Sequence, residues 1–323
     1  MYPVGTRREF SKGPGFCLSP KEVWIVSKKV GIIGAGVVGT AIGVVLHDKG
    51  YEITGVHDKK SESTKTLVDR IGCTTYASPQ EVSRSTDILF ITTNDSAIPD
   101  VVDELAQSRA FDYGQVLIHM SGAQTSAIFD KARALGAWGL SLHPLQSFAS
   151  PDMAIENIPG SIFSIEGDQE AYEIAIDIVE RLKGEYFFIE QEAKPLYHAG
   201  ACVVSNYLVT LVNLGIKLLQ VSGVSRELAG RSLLPLIKGT IKNIERAGIP
   251  DALTGPIARG DISTVLKHLD RMEVKGADLL PLYSCLGYYT AEIAREKGTI
   301  DDEQRQDFQQ ILGRAMLKQD MIK

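Results

Sequence analysis

The chain has 323 residues, 44% of them hydrophobic and 23% charged, an ordinary globular composition with material for one large or two ordinary domains. A net charge of −6 without any long basic run argues against a nucleic-acid or anionic-membrane surface. No apolar run approaches the roughly 18 residues of a membrane span, since His198, Ser205 and Asn206, or glycines, interrupt the longest candidates.

The first 28 residues carry basic side chains but neither an apolar core nor a small-residue cleavage site. They are predicted as a partly disordered extension rather than a signal peptide. Cys17, Cys73, Cys202 and Cys285 lie far apart and match no metal-ligand spacing, which predicts reduced structural thiols, no metal site and a cytoplasmic setting.

From Lys29 onward strand and helix signals alternate. Short apolar runs at 29–36, 52–58, 87–93, 115–121 and 137–143 are separated mostly by amphipathic segments. That alternation predicts right-handed crossovers and a mostly parallel sheet covered on both faces. A run at 161–168, a helix over 169–184 and a run at 185–190 are predicted to extend the same sheet. Beyond Pro195 the strand signal disappears, and 195–221, 226–247, 261–272, 277–296 and 301–319 show helical periodicity. The predicted organisation is an extension (1–28), a doubly wound Rossmann α/β domain (29–192) and an all-helical domain (193–323).

"VGIIGAGVVGTAIG" holds Gly34-x-Gly36-x-x-Gly39 directly after a β-branched run and before a helical pattern. Gly34 permits the tight turn, Gly36 lets backbone N–H groups approach a pyrophosphate, and Gly39 lets the helix pack on the strand. Ala35, Val37 and Val38 complete the cofactor-binding turn. Asp58 ends the next run about 20 residues on, where a ribose-binding acid belongs. Asp58 favours the free 2′-hydroxyl of NAD, whereas Lys59, Lys60 and Ser61 beside it suit the 2′-phosphate of NADP; NADP is slightly preferred. Thr92, Thr93 and Asn94, at the end of a later strand, read as cofactor contacts or as a plain loop capped by Asp95 or Ser96. Ser121 and Gly122, after the strand at 115–121, invite the same two readings.

"TTNDSAI" (92–98), "HMSGAQ" (119–124), "GAWGLSLHPLQSFA" (136–149), "KPLYHAGACVVSNYL" (194–208) and "LTGPIARGD" (253–261) occur in this order. Together they resemble the Rossmann-like proteins whose C-terminal half is called domain of unknown function 2520. That group is similar in architecture to ketopantoate reductase, pyrroline-5-carboxylate reductase and the β-hydroxyacid dehydrogenases, with their 6-phosphogluconate dehydrogenase C-terminal-like helical domains. The resemblance spans about residues 29–290. It implies an NAD(P)-dependent oxidoreductase that dimerises through its helical domain, and it names no substrate.

In this architecture the helix beginning at Pro195 faces the nicotinamide. At 100° per residue, Ser205 lies within about 20° of His198 and Cys202 within about 40°. Asn206 is displaced by about 80° and aligns with Asn213, so these residues predict a polar stripe on an apolar helix. β-Hydroxyacid dehydrogenases carry a lysine and, one turn later, an asparagine early in the equivalent helix. By that resemblance His198 stands near the lysine and Cys202 near the asparagine. Lys194 precedes the first turn and supplies charge less directly. Hydride addition to a carbonyl leaves an alkoxide that needs a proton and a hydrogen-bond donor, and histidine titrates in the right range. His198 is therefore the predicted proton donor, with a histidine bonded within the core as the competing reading.

His143 ends a strand where the chain crosses the cleft, and it reads as a pocket group or as a turn histidine. Ser205, Asn206, Gln146 and Lys194 are further candidates for orienting substrate. Arg259 suits a substrate carboxylate or phosphate, or equally a helix–helix salt bridge, and Asp261 is predicted to cap the following helix. The Arg259-Gly260-Asp261 triplet is taken as chance. The predicted protein transfers a hydride between NADP or NAD and a C=O or C=N bond of a small molecule, with or without a carboxylate, as a homodimer without nucleic-acid or membrane partners. A non-catalytic dinucleotide sensor is the alternative, and a deazaflavin carrier a third.

Overall fold

The structure, a computed structural model, describes residues 28–317. The predicted extension, Lys28 apart, and Cys17 lie outside the described residues. Two compact units divide between Val203 and Val204.

The first unit is built on an eight-stranded sheet in the order β3-β2-β1-β4-β5-β6-β7-β8. Its strands are β1 (Lys29–Ile33), β2 (Glu52–His57), β3 (Thr74–Thr75), β4 (Ile88–Ile91), β5 (Val116–His119), β6 (Trp138–Pro144), β7 (Ile162–Gly167) and β8 (Glu185–Phe188). Continuous β-branched and aromatic runs make β4 and β5 buried at every position, as strands covered on both faces must be. All pairings are parallel except β6 with β7, which is antiparallel with Ser141 opposite Glu166 and His143 opposite Ser164.

Helices α1 (Val37–Asp48), α2 (Ser61–Ile71), α3 (Pro79–Arg84), α4 (Ile98–Gln107), α5 (Asp130–Arg133), α6 (Pro151–Asn157) and α7 (Tyr172–Arg181) cover the sheet. One core joins α1 and α7 to residues such as Ile32, Phe90, Ile118, Leu142 and Phe163. A second core, with Leu89, Leu117, Val102 and Phe129, fills the other face. Alternation along β6 separates them: Leu140 and Leu142 enter the first core, leaving Ser141 and His143 on the opposite side.

Helix α8 (Lys194–Val204) is followed by α9 (Asn206–Val221), because Ser205 leaves helical geometry at φ −108 and ψ −72. The single helix predicted over 195–221 is thus two, and the stripe drawn through His198 and Ser205 is interrupted at Ser205. The expectation that no apolar run approaches 18 residues is also corrected. The helical stretch Gln191–Val221 has 31 residues, a mean hydropathy of 1.6 and 6% burial in its most apolar window, enough by length and composition to cross a bilayer. His198, Ser205 and Asn206 are polar but uncharged as counted, so they interrupt the pattern without lowering its average enough.

The second unit contains α9, α10 (Arg226–Ala247), α11 (Ile262–Lys275), α12 (Leu280–Glu296) and α13 (Asp302–Leu317). Its core joins α11, α12 and α13 through Val265, Leu269, Ala291, Phe308 and Leu312. Asp261 caps α11 as predicted, accepting from Thr264 N–H at 3.0 Å. Helices α9 and α10 pack on each other, with Leu233 against Gly215. Each buries only one residue, Leu214 and Ala229 respectively.

Candidate active site

The carboxyl ends of β1, β4, β5 and β6 lie side by side, which puts their following loops along one edge of the sheet. At the end of β1, Gly34 has φ +98, and a Cβ there would stand 2.6 Å from Thr93 N. A Cβ at Gly39 would stand 1.9 Å from Gly34 O, so only glycine lets α1 begin this close to the turn. Gly36 is the opposite case: it is exposed, with nothing within 4 Å of its Cβ position. Together these form an open cradle at a helix N-terminus, which fits a pyrophosphate. The Thr92 hydroxyl donates to Gly34 O at 2.7 Å and ties β4 to the cradle. Thr93 Oγ1 is buried without a partner. No side-chain cap forms at Asp95 or Ser96.

A cleft of about 560 Å³ runs from Gly34 and Gly36 past Thr92, Thr93 and Asn94 to His57, Asp58, Lys59, Lys60 and Ser63. The Asp58 carboxylate accepts from Ala35 N–H through one oxygen and from Lys60 N–H through the other, both at 2.8 Å. Asp58 therefore straps the end of β2 to the dinucleotide turn. Lys59 and Lys60 remain exposed at the cleft wall. A cavity of about 70 Å³ continues beyond the cradle, lined by Val38, Thr92, Thr93, Asp95, Met120 and Ser121.

Past Ser121 the chain reaches Gly122, where two imidazoles converge. A Cβ at Gly122 would lie 2.5 Å from His198 Nδ1 and 2.8 Å from His143 Nε2. The two rings are 6.3 Å apart and nearly perpendicular. His143 comes from the end of β6 and His198 from the first turns of α8. His143 Nδ1 bonds Tyr197 Oη at 2.7 Å. His198 Nδ1 is buried without a partner, and its Nε2 is 3.5 Å from Cys202 Sγ one turn on. Ser121 makes local bonds, its Oγ accepting from Ala123 and Gln124 N–H groups.

Lys194 differs most from its expected position. It is the first residue of α8 rather than a residue ahead of it, is wholly buried, and donates from Nζ to Ser141 Oγ. Burial pushes its ammonium down to about 8, although the carboxylates of Glu166 and Asp95 oppose the shift. Burial, and then the Lys194 charge, hold His143 down to about 4 and His119 down to about 3. Both imidazoles are therefore neutral near pH 7. His119, wholly buried in β5, accepts from Ser121 N–H at 3.2 Å. Glu166 in turn accepts from the Ser126 N–H and hydroxyl.

The structure thus brings together His143, His198, Lys194 and Gly122. Gln146 lies on the exposed loop after β6, and its side chain accepts from Ser147 N–H. Ser205, Asn206 and Arg259 belong to the second unit, Asn206 and Arg259 being exposed. Tyr197 and Ser141 were not singled out from sequence. The spacing of Lys194, Tyr197 and His198, three and four residues apart on one helical face, was the available signal. Among the described residues, Cys73, Cys202 and Cys285 are free thiols. Among the described residues no group of three or more His, Cys, Asp or Glu side chains is placed to hold a metal ion.

Comparisons with known proteins bear on the domains and the fold. Residues 20–144 match the family described as a Rossmann-like domain, and 161–290 match the domain of unknown function DUF2520. No protein of curated function matches the sequence. Among solved structures, a protein from Thermotoga maritima is 26% identical with a TM-score of 0.65, covering 83% of this chain and 99% of its own. A candidate NADP oxidoreductase from Bacteroides fragilis has the same score and coverage at 20% identity. An imine reductase from a Pseudomonas species scores 0.56 at 19% identity, with 83% and 96% coverage. At 20% and 19% identity these last two likenesses speak to the fold. The chain thus joins a Rossmann-like match to a match to the domain of unknown function 2520.

Proposed function

We propose that this protein is an NAD(P)-dependent oxidoreductase that moves a hydride between a nicotinamide and a C=O or C=N bond of a small substrate. The observation that carries the reading is the convergence of His143 Nε2 and His198 Nδ1 at Gly122, on the sheet edge that bears the dinucleotide cradle. Gly34, Gly36 and the cleft past Thr92 and Asn94 would hold a dinucleotide, whose dihydronicotinamide would supply the hydride. Reduction leaves an alkoxide or an amine nitrogen that takes up a proton, and His198 Nδ1, buried without a protein partner, is placed to give it. Neutral His143 donates a hydrogen bond, and the Lys194 ammonium adds positive charge one layer behind. No step is assigned to Ser205, Asn206 or Arg259. The names of the Bacteroides and Pseudomonas neighbours support the same class of reaction.

NADP is the preferred cofactor in this reading. Both Asp58 oxygens are committed to backbone N–H groups, while Lys59 and Lys60 stand free for a 2′-phosphate.

The working form is a homodimer through α9 and α10. Tyr207, Val209, Leu228, Leu234 and Leu236 are each more than half exposed there. Large apolar side chains exposed along both helices are what a protein–protein interface covers.

The test is a screen of 2-oxo acids, semialdehydes and cyclic imines, read by NADPH consumption, beside binding titrations with NADPH, NADH and a reduced deazaflavin. Turnover of a C=O or C=N compound with NADPH is the expected result. Tight dinucleotide binding without turnover of any of them would favour a sensor, and preference for the deazaflavin would replace the carrier.

A further inference from the structure

We propose that Tyr197 is a positioning residue that holds His143 as the neutral Nε2–H tautomer, making His143 a fixed hydrogen-bond donor beside the proton-giving His198. The inference rests on the functional reading above and assigns the two histidines different tasks.

The geometry begins with two contacts that dock the first turn of α8 on β6. Lys194 reaches Ser141, and Tyr197, three residues on, reaches His143, two residues on along the strand. Both strand residues point to the same side of the sheet, and both helix residues share one face. Phe187 of β8 meets the Tyr197 ring edge-on with centroids 5.9 Å apart. Tyr197 is thus held by a ring contact and by its hydroxyl, which has His143 Nδ1 within 2.7 Å.

A neutral imidazole has one N–H and one bare nitrogen, and its hydrogen bonds decide which is which. Burial raises the Tyr197 phenol above its ordinary value, so it keeps its proton and has one to donate. A phenol donating to Nδ1 leaves the single imidazole proton on Nε2, the nitrogen that faces Gly122 and the His198 side. The groups that bear on His143, Lys194 and His198 from α8, both disfavour a second proton on it. His143 therefore presents an N–H without acting as an acid. A substrate oxygen or nitrogen between the rings would receive a steady hydrogen bond from His143 and its proton from His198.

The test reads the tautomer directly. Full-length protein labelled with ¹⁵N-histidine has six imidazoles, and the long-range ¹⁵N–¹H spectrum assigns His143 by its loss in His143→Gln. The expected wild-type pattern has the proton on Nε2; a proton on Nδ1 would overturn the proposal. In Tyr197→Phe the pattern should become mixed, and an unchanged pattern in folded variant protein would show that Tyr197 does not set it. Turnover gives a second measurement. His143→Gln retains an N–H donor near the Nε2 position and should lose no more than about tenfold in kcat, whereas His143→Leu should lose about 100-fold or more. Equal loss in both would mean that His143 works as an acid or base. The spectrum needs no substrate, so failure of the oxidoreductase reading would leave the tautomer result intact and distinguishable.

Discussion

Gly122→Ala tests the convergence of the two histidines most sharply. The added methyl would stand 2.5 Å from His198 Nδ1 and 2.8 Å from His143 Nε2, where ordinary contact begins near 3.4 Å. Both rings must retreat by between several tenths of an ångström and about one ångström, and each is held behind, His143 by Tyr197 and His198 by its helix. Overpacking of this kind costs about 1–3 kcal/mol of stability, a Tm loss of several degrees for a unit of this size. The chemical loss should be larger, since about 1 Å of misplacement can cost about 100-fold in rate. The assay is steady-state NADPH oxidation with the best substrate from the screen, beside NADPH affinity by fluorescence titration and a thermal melt. The expected variant is folded, binds NADPH within about threefold of wild type and turns over about 100-fold more slowly. A folded variant with kcat within about threefold of wild type would refute the argument that catalysis is assembled at Gly122.

Three other outcomes are expected. Replacing Lys59 and Lys60 by alanine should weaken NADPH by about 10–100-fold, the worth of a charge-assisted contact, with NADH changed less than about threefold; equal losses would remove the 2′-phosphate assignment. His119 binds its proton only near pH 3 in the folded chain but at its ordinary value of 6.5 when unfolded. Between those values the unfolded state holds more protons, so stability must fall as the pH drops through this window. His119→Asn, which keeps an acceptor for Ser121 N–H, should flatten that fall in urea melts, and an unchanged slope would contradict it. In sedimentation the wild type should be dimeric and Val209→Glu with Leu236→Glu monomeric; a monomeric wild type would remove the dimer, and cosedimentation with lipid vesicles would point instead to a membrane-facing helix.

Much of this was legible in the sequence because the relevant pattern is local. Central strands covered on both faces read as unbroken apolar runs, and β1, β4 and β5 lie where those runs are. The cradle was legible because steric demands at Gly34 and Gly39 leave little choice of residue. The antiparallel direction of β7 was not, since apolar periodicity carries no direction, and β3 has only the residues Thr74 and Thr75. The helix break at Ser205 lacks a proline or glycine to announce it. The sequence puts Lys194 outside the helix because Pro195 resembles a first helical residue. A tight turn at Gln191–Ala193 instead starts the helix one residue earlier and aims Lys194 at Ser141. Tyr197 carries no sequence signal of its own because an aromatic on an apolar helix looks like core, and its contact is with a strand residue 54 positions away in sequence.

The central claim is hydride transfer within this chain, and isotope tracing tests it most directly. Protein given NADPH deuterated at the transferred position of C4, with a substrate from the screen, should yield product carrying one deuterium at the former C=O or C=N carbon by mass spectrometry. His198→Ala should bind the same cofactor and form that product far more slowly. Bound, unconsumed cofactor and no deuterium in any product of the wild type would contradict the account.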